Sequence, residues 1–330
     1  MDLSSPVSNT PRNERRSPTV SVVIPALNEE RNLPHVFAKL PADVTEVIVV
    51  DGGSVDRTVA VARELRPDVT IVQQTRTGKG NALACGFAAC TGDIIVMIDA
   101  DGSTDPGEIP LFVGKLIAGA DFVKGSRFDK GGHSHDITPL RKLGNDGLNL
   151  VVNVLFGTRF TDLCYGYNAF WRSVVPALDL PDTRLPRPAD GRKLWGDGFE
   201  IETMINIRAA ADGMTVGEVG STEHERIHGQ SNLNTFRDGF RVLRTIFSEF
   251  GRMHRRKRGT VRRPVARPAY QRVADTATGR GLGTVVNRAT PAGTAHPADP
   301  RRDLNRTRRD DAGSRRVEVQ PRQARAALDD

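Results

Sequence analysis

The chain has 330 residues, 38% of them hydrophobic, enough to bury a substantial core as one large domain or two smaller ones. Its longest apolar runs fall far short of the ~20 residues that span a bilayer, and the N-terminus lacks the apolar core of a secretory signal. The net charge of +7 is unevenly placed: beyond Gly251, 20 Lys and Arg face 8 Asp and Glu, a net +12 that leaves the first 251 residues at −5.

Residues 1–18 are polar and Pro/Ser-rich and read as a disordered arm. The chain then alternates. A strand is expected at 20–24, a helix at 29–40 interrupted by Pro34 near its start, a strand at 46–50, and a helix at 56–66 capped by Ser54 or Asp56. A third strand at 69–73 and a helix at 79–90 follow. The apolar run Ile94-Ile95-Val96-Met97-Ile98 reads as a buried fourth strand, succeeded by a helix near 106–118 and a strand at 121–123. This βαβα order predicts an α/β fold, an open and mostly parallel sheet with helices on both faces. Ligands of such sheets bind beyond the carboxyl ends of the strands, where Pro25, Asp51, Gln73 and Asp99 fall. The second half is less regular, with helices at 141–156 and 199–211, short strands near Phe170 and at 215–219, and an amphipathic helix at 233–250. From 251 onward the chain is rich in Arg, Pro, Ala and Thr with one aromatic, Tyr270, and reads as a disordered basic tail. The expected organisation is an arm over 1–18, a folded domain over 19–250 with halves at 19–125 and 126–250, and a tail over 251–330.

Asp99-Ala100-Asp101 stands at the end of the fourth strand. Ionised carboxylates are costly to bury unpaired, and two of them where a strand opens into a loop can share one Mg²⁺ or Mn²⁺. An exposed acidic turn is the alternative for the isolated pair. Asp51, at another strand end, can accept hydrogen bonds from the N–H groups of a uracil or guanine ring, and it can equally head the turn Asp51-Gly52-Gly53-Ser54. Gly78-Lys79-Gly80 would let backbone approach an anion at a helix start, with Lys79 as a point charge. The first strand is not followed by GxGxxG, which disfavours a dinucleotide site. Cys85, Cys90 and Cys164, an odd number without CxxC spacing, read as buried thiols in a reducing compartment. His133 and His135 resemble a metal site but suit a mobile polar loop better.

The ordered set Pro25-Ala26-Leu27-Asn28-Glu29-Glu30, Val50-Asp51-Gly52-Gly53-Ser54, Gly78-Lys79-Gly80-Asn81 and Asp99-Ala100-Asp101 resembles family-2 glycosyltransferases of the GT-A fold. The likeness continues through Gly125-Ser126-Arg127-Phe128, Asp162-Leu163-Cys164-Tyr165-Gly166-Tyr167, Gly198-Phe199-Glu200-Ile201-Glu202 and Arg226-Ile227-His228-Gly229-Gln230-Ser231-Asn232. It covers about 19–250 and is greatest for the polyprenyl-phosphate, dolichyl-phosphate mannosyltransferase-like branch. The resemblance implies a donor site of Pro25, Ala26, Asn28, Glu29, Asp51, Lys79, Asp99, Ala100, Asp101 and Arg226, with Asn28 organising its loop. It implies metal ligation by Asp99 and Asp101, with Ser103 where many relatives carry a further ligand. Acceptor phosphate would fall to Arg127, Arg141 and Asn145, the last standing where a serine is often found. Asp101, Glu200, Asp162 and Arg127 are the expected catalytic set. Glu200 is the base if the acceptor is a hydroxyl, and Glu202 is expected to be structural.

The implied reaction is inverting, metal-dependent transfer of a hexose from GDP-mannose or UDP-glucose to polyprenyl phosphate. The alternative acceptor is a saccharide or small-molecule hydroxyl. The apolar helix at 148–156 and the 233–258 segment, running into Arg252, Arg255, Arg256, Lys257 and Arg258, suit an anionic membrane surface. The expected location is therefore cytoplasmic and peripheral, on the inner face of the membrane. A nucleic-acid-binding or membrane-binding protein without catalysis is the different-class alternative. Nucleic acid is not expected, because the tail lacks interleaved aromatics and the body is acidic.

Overall fold

In a computed structural model describing residues 17–135, 137–229 and 235–257, the apolar runs pair edge to edge. Four consecutive strands pair in parallel: β1 (Val20–Ala26), β2 (Glu46–Asp51), β3 (Thr70–Gln73) and β4 (Ile94–Met97). The helices between them are α1 (Leu33–Ala38), α2 (Thr58–Leu65) and α3 (Lys79–Ala89). After β4 come α4 (Ile109–Ile117), β5 (Phe122–Ser126), the short β6 (His133–Ser134) and α5 (Pro139–Phe156). The second half adds β7 (Asn168–Trp171), α6 (Val175–Leu178), α7 (Glu200–Ala211), β8 (Val216–Gly220), β9 (Thr222–Glu223) and α8 (Thr235–Lys257).

The sheet order is β3-β2-β1-β4-β7-β5-β8, and β6 pairs with β9 in a separate ribbon. The mostly parallel sheet is thus present, with one departure. β7 runs antiparallel to both β4 and β5 and separates them. All four of its residues are buried, so pairing on both sides satisfies backbone groups that have no access to water. One sheet runs through both expected halves. The main core surrounds it, and a satellite core of Val152, Phe160, Leu163, Ile207 and Ile246 joins α5, α7 and α8.

Several element boundaries differ from expectation for local reasons. The expected helix over 29–40 is confined to Leu33–Ala38, with Pro34 in its first turn, where a missing N–H costs nothing. Asp56, not Ser54, takes the first amide of α2: its Oδ1 accepts the Thr58 N–H at 2.9 Å. α5 begins two residues early because the Thr138 hydroxyl accepts the Arg141 N–H. α8 runs through the expected boundary at 250 as far as Lys257. The arm over 1–16, and the tail from 258, lie outside the described residues.

α8 is held by charge as well as by Ile246. Arg208 on α7 and Glu249 on α8 pair through two hydrogen bonds, 2.9 and 2.8 Å, with side chains only 6% and 2% exposed. Trp195 Nε1 donates to the same carboxylate at 3.0 Å, and Arg208 also donates to the Leu178 and Asp179 carbonyls. Glu249→Ala would leave the guanidinium buried without its counter-ion. It should lower the unfolding free energy by about 3–5 kcal/mol, read as an earlier urea midpoint at unchanged m-value.

Candidate active site

Beyond β4, Ile98 leads the buried run into Asp99-Ala100-Asp101, and Gly102 turns the chain at φ 80°. Lys79 opens α3, and its Nζ lies 2.5 Å from Asp99 Oδ1 and 2.5 Å from Glu202 Oε1 in the first turn of α7. Arg226 reaches the other member: Nη2 stands 3.0 Å from Asp101 Oδ2, and Nη1 3.3 Å from Glu29 Oε1. Backbone bonds fix this approach, since Ile227 N–H donates to the Asp101 carbonyl and His224 N–H to the Ser103 carbonyl. A side chain at Gly102 would stand 2.6 Å from Ile227 Cδ1, so glycine is needed there for space as well as for φ.

Four carboxylates therefore surround two cations, a net −2 that matches the charge of one divalent ion. Burial pushes the Asp99 carboxyl up to about 6, against the pull of Lys79 and with help from Asp101 and Glu202. Burial raises Glu29 as well, outweighing its hydrogen bond from Asn32 and the charge of Arg226. Lys79 is held firmly protonated, because Asp99 and Glu202 overcome the cost of burying it. No cluster of three or more His, Cys, Asp or Glu forms a ready-made metal cage among the described residues. The oxygen-only pair Asp99 and Asp101 nevertheless fits a hard ion such as Mg²⁺ or Mn²⁺, which fills its other positions with water and substrate phosphate.

The neighbouring strand ends line one side of this cluster. β1 and β2 pair Ala26 with Asp51, which places Pro25-Ala26 beside that carboxylate. Asp51 is 4% exposed. Its oxygens accept the Ser54 N–H at 3.0 Å and the Gln73 Nε2–H at 2.9 Å. Burial alone would raise Asp51, but these bonds outweigh it and hold the carboxyl below its ordinary range. Asn28 takes φ 58°, receives Val55 N–H on its Oδ1 and donates its own N–H to Ser54 Oγ. It organises the loop. Ala100 is buried between the two aspartates.

Two expectations are corrected around α3. The start of this helix is not an open anion cradle: the Asp197 carbonyl accepts the N–H of Gly80 at 2.9 Å and of Asn81 at 3.2 Å. A Cβ on Gly80 would stand 1.9 Å from the Gly196 carbonyl oxygen, so the two backbones can meet only at glycine. Glu200 turns back on the same loop, its Oε1 accepting the N–H of Gly196 at 2.9 Å and Gly198 at 3.1 Å. Glu202, expected to be structural, is the α7 carboxylate that reaches Lys79 and the aspartate cluster. The Glu-x-Glu spacing could have signalled that only one of the two faces the sheet. The choice depends on where the helix begins.

The other expected residues gather in a second cluster. Arg127 places Nε and Nη2 on the two oxygens of Asp162, at 2.7 and 2.9 Å, and Nη1 on Glu223 at 3.0 Å. Its side chain is 10% exposed, and Asp162 is wholly buried. Arg127 also lies over the Tyr165 ring at 5.2 Å. The guanidinium expected to hold acceptor phosphate is thus already occupied by carboxylates. Lys124, absent from the sequence reading, is fully buried and donates to the Tyr165 carbonyl. Burial pulls its pKa down, while Asp162 and Glu218 oppose that. On α5, Asn149 donates to the Thr161 carbonyl and accepts the Leu163 N–H, bracketing Asp162. One turn earlier Asn145 is 5% exposed, and neither its Oδ1 nor its Nδ2 has a hydrogen-bond partner. Arg141, in the first turn of α5, is half-buried.

A family model described as Glycosyl transferase family 2 matches residues 21–178. An uncharacterized glycosyltransferase of Mycobacterium bovis is 45% identical over 219 residues, which span 65% of this chain and 89% of that relative. The chain belongs to glycosyl transferase family 2. The polyprenol monophosphomannose synthase of Mycolicibacterium smegmatis is 32% identical to this glycosyltransferase over 266 residues, covering 76% of this chain and 95% of the relative. Among solved structures, glucosyl-3-phosphoglycerate synthase from Mycobacterium tuberculosis, in complex with Mn²⁺, UDP and glucosyl-3-phosphoglycerate, superposes with a TM-score of 0.55. That pair shares 26% identity over 71% of this chain and 80% of the other. The GT-A fold of this enzyme is therefore established.

The crowded carboxylates make a thermodynamic prediction. Asp99 titrates near 6 in the fold against an ordinary value of 3.8, so its ionised form costs stability above pH 6, and the cost disappears as pH falls toward 3.8. The difference in melting temperature between Asp99→Asn and the wild type should therefore move in the wild type's favour as pH falls from 8 to 4, in thermal scans without added metal.

Proposed function

We propose that this glycosyltransferase moves a hexose, with inversion, from a nucleoside diphosphate sugar such as GDP-mannose or UDP-glucose to polyprenyl phosphate. The observation that carries the donor half is the net −2 carboxylate cluster, edged by the Asp51 pocket at the same strand ends. Asp51 accepts the N–H groups of the base, with Pro25, Ala26 and Glu29 beside it, and Ala100 keeps the two aspartates apart. A divalent ion held by Asp99 and Asp101 would supply Lewis-acid stabilisation of the departing nucleoside diphosphate. Arg226 moves from Asp101 to the diphosphate, where its planar fork suits two phosphate oxygens. Lys79 remains as the counter-charge to Asp99 and Glu202.

For the acceptor, an ionised phosphate oxygen attacks C1 in line, and the bond to the diphosphate breaks on the opposite face. No base is needed, since the nucleophile is already an anion. Asn145, buried with an unpartnered carboxamide beside the Asp162 segment, and Arg141 one turn earlier hold the acceptor phosphate. Arg127 acts through Asp162 and Glu223 as a positioning residue. The similarity to polyprenol monophosphomannose synthase supports this reading. The outer face of α5 also supports it, exposing Leu140, Leu143, Leu150 and Val154 by 56–73%, as does that of α8, exposing Phe240 by 71% and Phe247 by 54%. Such faces dock on a bilayer surface peripherally, and no helix among the described residues is long and apolar enough to cross a membrane. At the end of α8, Arg252 and Arg256 pair with Asp179 and Asp212. Attraction to anionic lipid therefore falls more on residues such as Arg244.

A second reading, transfer to a small-molecule hydroxyl, is favoured by the presence of Glu202 beside Asp99, since a hydroxyl acceptor requires a base. The readings separate by measuring nucleoside-diphosphate release from a donor panel with Mg²⁺ or Mn²⁺, with and without polyprenyl phosphate. Release stimulated by the lipid is expected, and release stimulated only by soluble hydroxyl acceptors would reject the lipid reading. Asp101→Asn should lower kcat by at least a hundredfold with an unchanged circular dichroism spectrum. In sedimentation with vesicles containing anionic lipid, Leu143→Glu/Val154→Glu should reduce binding severalfold while transfer to a short-chain acceptor persists.

A further inference from the structure

Between α6 and α7 the chain forms a long irregular loop carrying Arg184, Arg187, Arg192 and Lys193. One buried residue holds it to the body. Arg76 donates Nε and Nη2 to the Asp197 carboxylate at 2.7 and 2.8 Å, and Nη1 to the Asp182 and Leu185 carbonyls, both at 2.9 Å. Both partners in the ion pair are 1% exposed. Pro181, Pro186 and Pro188 stiffen the same stretch. Beside this anchor lies a cavity of about 60 Å³, room for several water molecules, walled by Arg76, Asp197, Arg187, Arg192 and Lys193.

The charges of these walls do not cancel. Arg76 and Asp197 neutralise each other, and Arg192 pairs with Asp190 at 2.6 Å. Arg187 and Lys193 form no ion pair among the described residues. The cavity is open to solvent and thus has two exposed, unpaired cations at its rim, on a backbone fixed by a saturated buried arginine. It also has a definite position: Lys193 Nζ lies 3.3 Å from where a Cβ of Gly78 would stand, and Gly78 precedes the Lys79 that bridges Asp99 and Glu202.

We propose that this cavity is an anion subsite, in which Arg187 and Lys193 hold a phosphate or carboxylate group beside the donor cluster. The Gly80 and Asn81 amides of α3 take no part, because the Asp197 carbonyl already accepts them. The guanidinium offers a fork to two oxygens, and the ammonium offers a point charge. The anion has two sources in chemistry: an acidic group on a small-molecule hydroxyl acceptor, which rests on the second reading of the function, or free inorganic phosphate.

The test is calorimetric titration of the full chain with inorganic phosphate at low salt, for wild type, Arg187→Gln/Lys193→Gln and Lys193→Arg. Wild type should bind phosphate with an affinity that falls as salt is added. The double variant should lose at least tenfold, and Lys193→Arg should retain binding. UDP with Mn²⁺ should bind wild type and double variant alike, so that loss of phosphate is distinguishable from failure of the donor site. Absence of phosphate binding to the wild type, undiminished binding to the double variant, or competitive displacement by UDP with Mn²⁺ would each overturn the subsite. The source follows from transfer kinetics. A severalfold higher KM in the double variant for phosphoglycerate, which carries a phosphate and a carboxylate, with none for polyprenyl phosphate, supports an acceptor group. Unchanged KM values together with lost phosphate binding support free phosphate.

Discussion

The constraint on which the site depends is the crowding of Asp99, Asp101, Glu29 and Glu202 at the carboxyl end of the sheet. Like charges at this separation repel strongly where water is partly excluded, so the cluster can exist only if cations are brought to it. Lys79 arrives on α3 and Arg226 on the loop after β9, each spanning two carboxylates. Five separate segments of chain therefore meet at one electrostatic knot. Their packing there follows from charge as much as from the apolar core beneath. The arrangement still falls two positive charges short of neutrality, which makes the pocket attractive to a divalent ion and to nothing negatively charged that comes without one. On the proposed reading, a diphosphate donor and its metal would be mutually dependent ligands there.

The rest of the second half holds this knot in position. Arg76 and Asp197 secure the loop whose carbonyl caps α3, and that cap sets the direction in which Lys79 leaves the helix. Glu200 ties Gly196 and Gly198 of the same loop, so the first turn of α7 presents Glu202 to Lys79. Trp195 connects the loop to Glu249 on α8, which is itself paired with Arg208 on α7. A continuous set of hydrogen bonds thus runs from the amphipathic surface helix to the lysine beside Asp99. The second cluster is braced independently, by Arg127 between Asp162 and Glu223 and by Asn149 on either side of Asp162.

The parallel half was legible in the sequence because its strands are uninterrupted apolar runs and its helices fill the intervals between them. Asp51 and the Asp99 pair could be placed at strand ends for the same reason. β7 was less so: Asn-Ala-Phe-Trp is four residues long, and nothing in its pattern indicates antiparallel insertion between β4 and β5. The site residues that were misjudged fail for a shared reason. Whether α3 offers its amides to a ligand depends on a backbone carbonyl more than a hundred residues away, and carbonyls have no letter in a sequence. Glu200 and Glu202 differ only by where one helix begins. Arg127 read as a free phosphate ligand because its second carboxylate, Glu223, is brought in by the pairing of β9 with β6 in the ribbon outside the main sheet.

The buried ion pairs of this enzyme divide by how completely their charges are met. In Arg76–Asp197 and Arg208–Glu249, each guanidinium is bidentate on its carboxylate and places its remaining nitrogen on main-chain carbonyls. The geometry is closed, and such pairs fix one arrangement of the chain at little net gain in stability. Lys79 is different, with one ammonium between two carboxylates and a third nearby in Asp101. Burial raises the Asp99 carboxyl, and Asp101 and Glu202 add to that rise against the pull of Lys79. Nothing in the packing of α3 or α7 requires this imbalance of charge. On the proposed reading, that imbalance is what a divalent ion would complete.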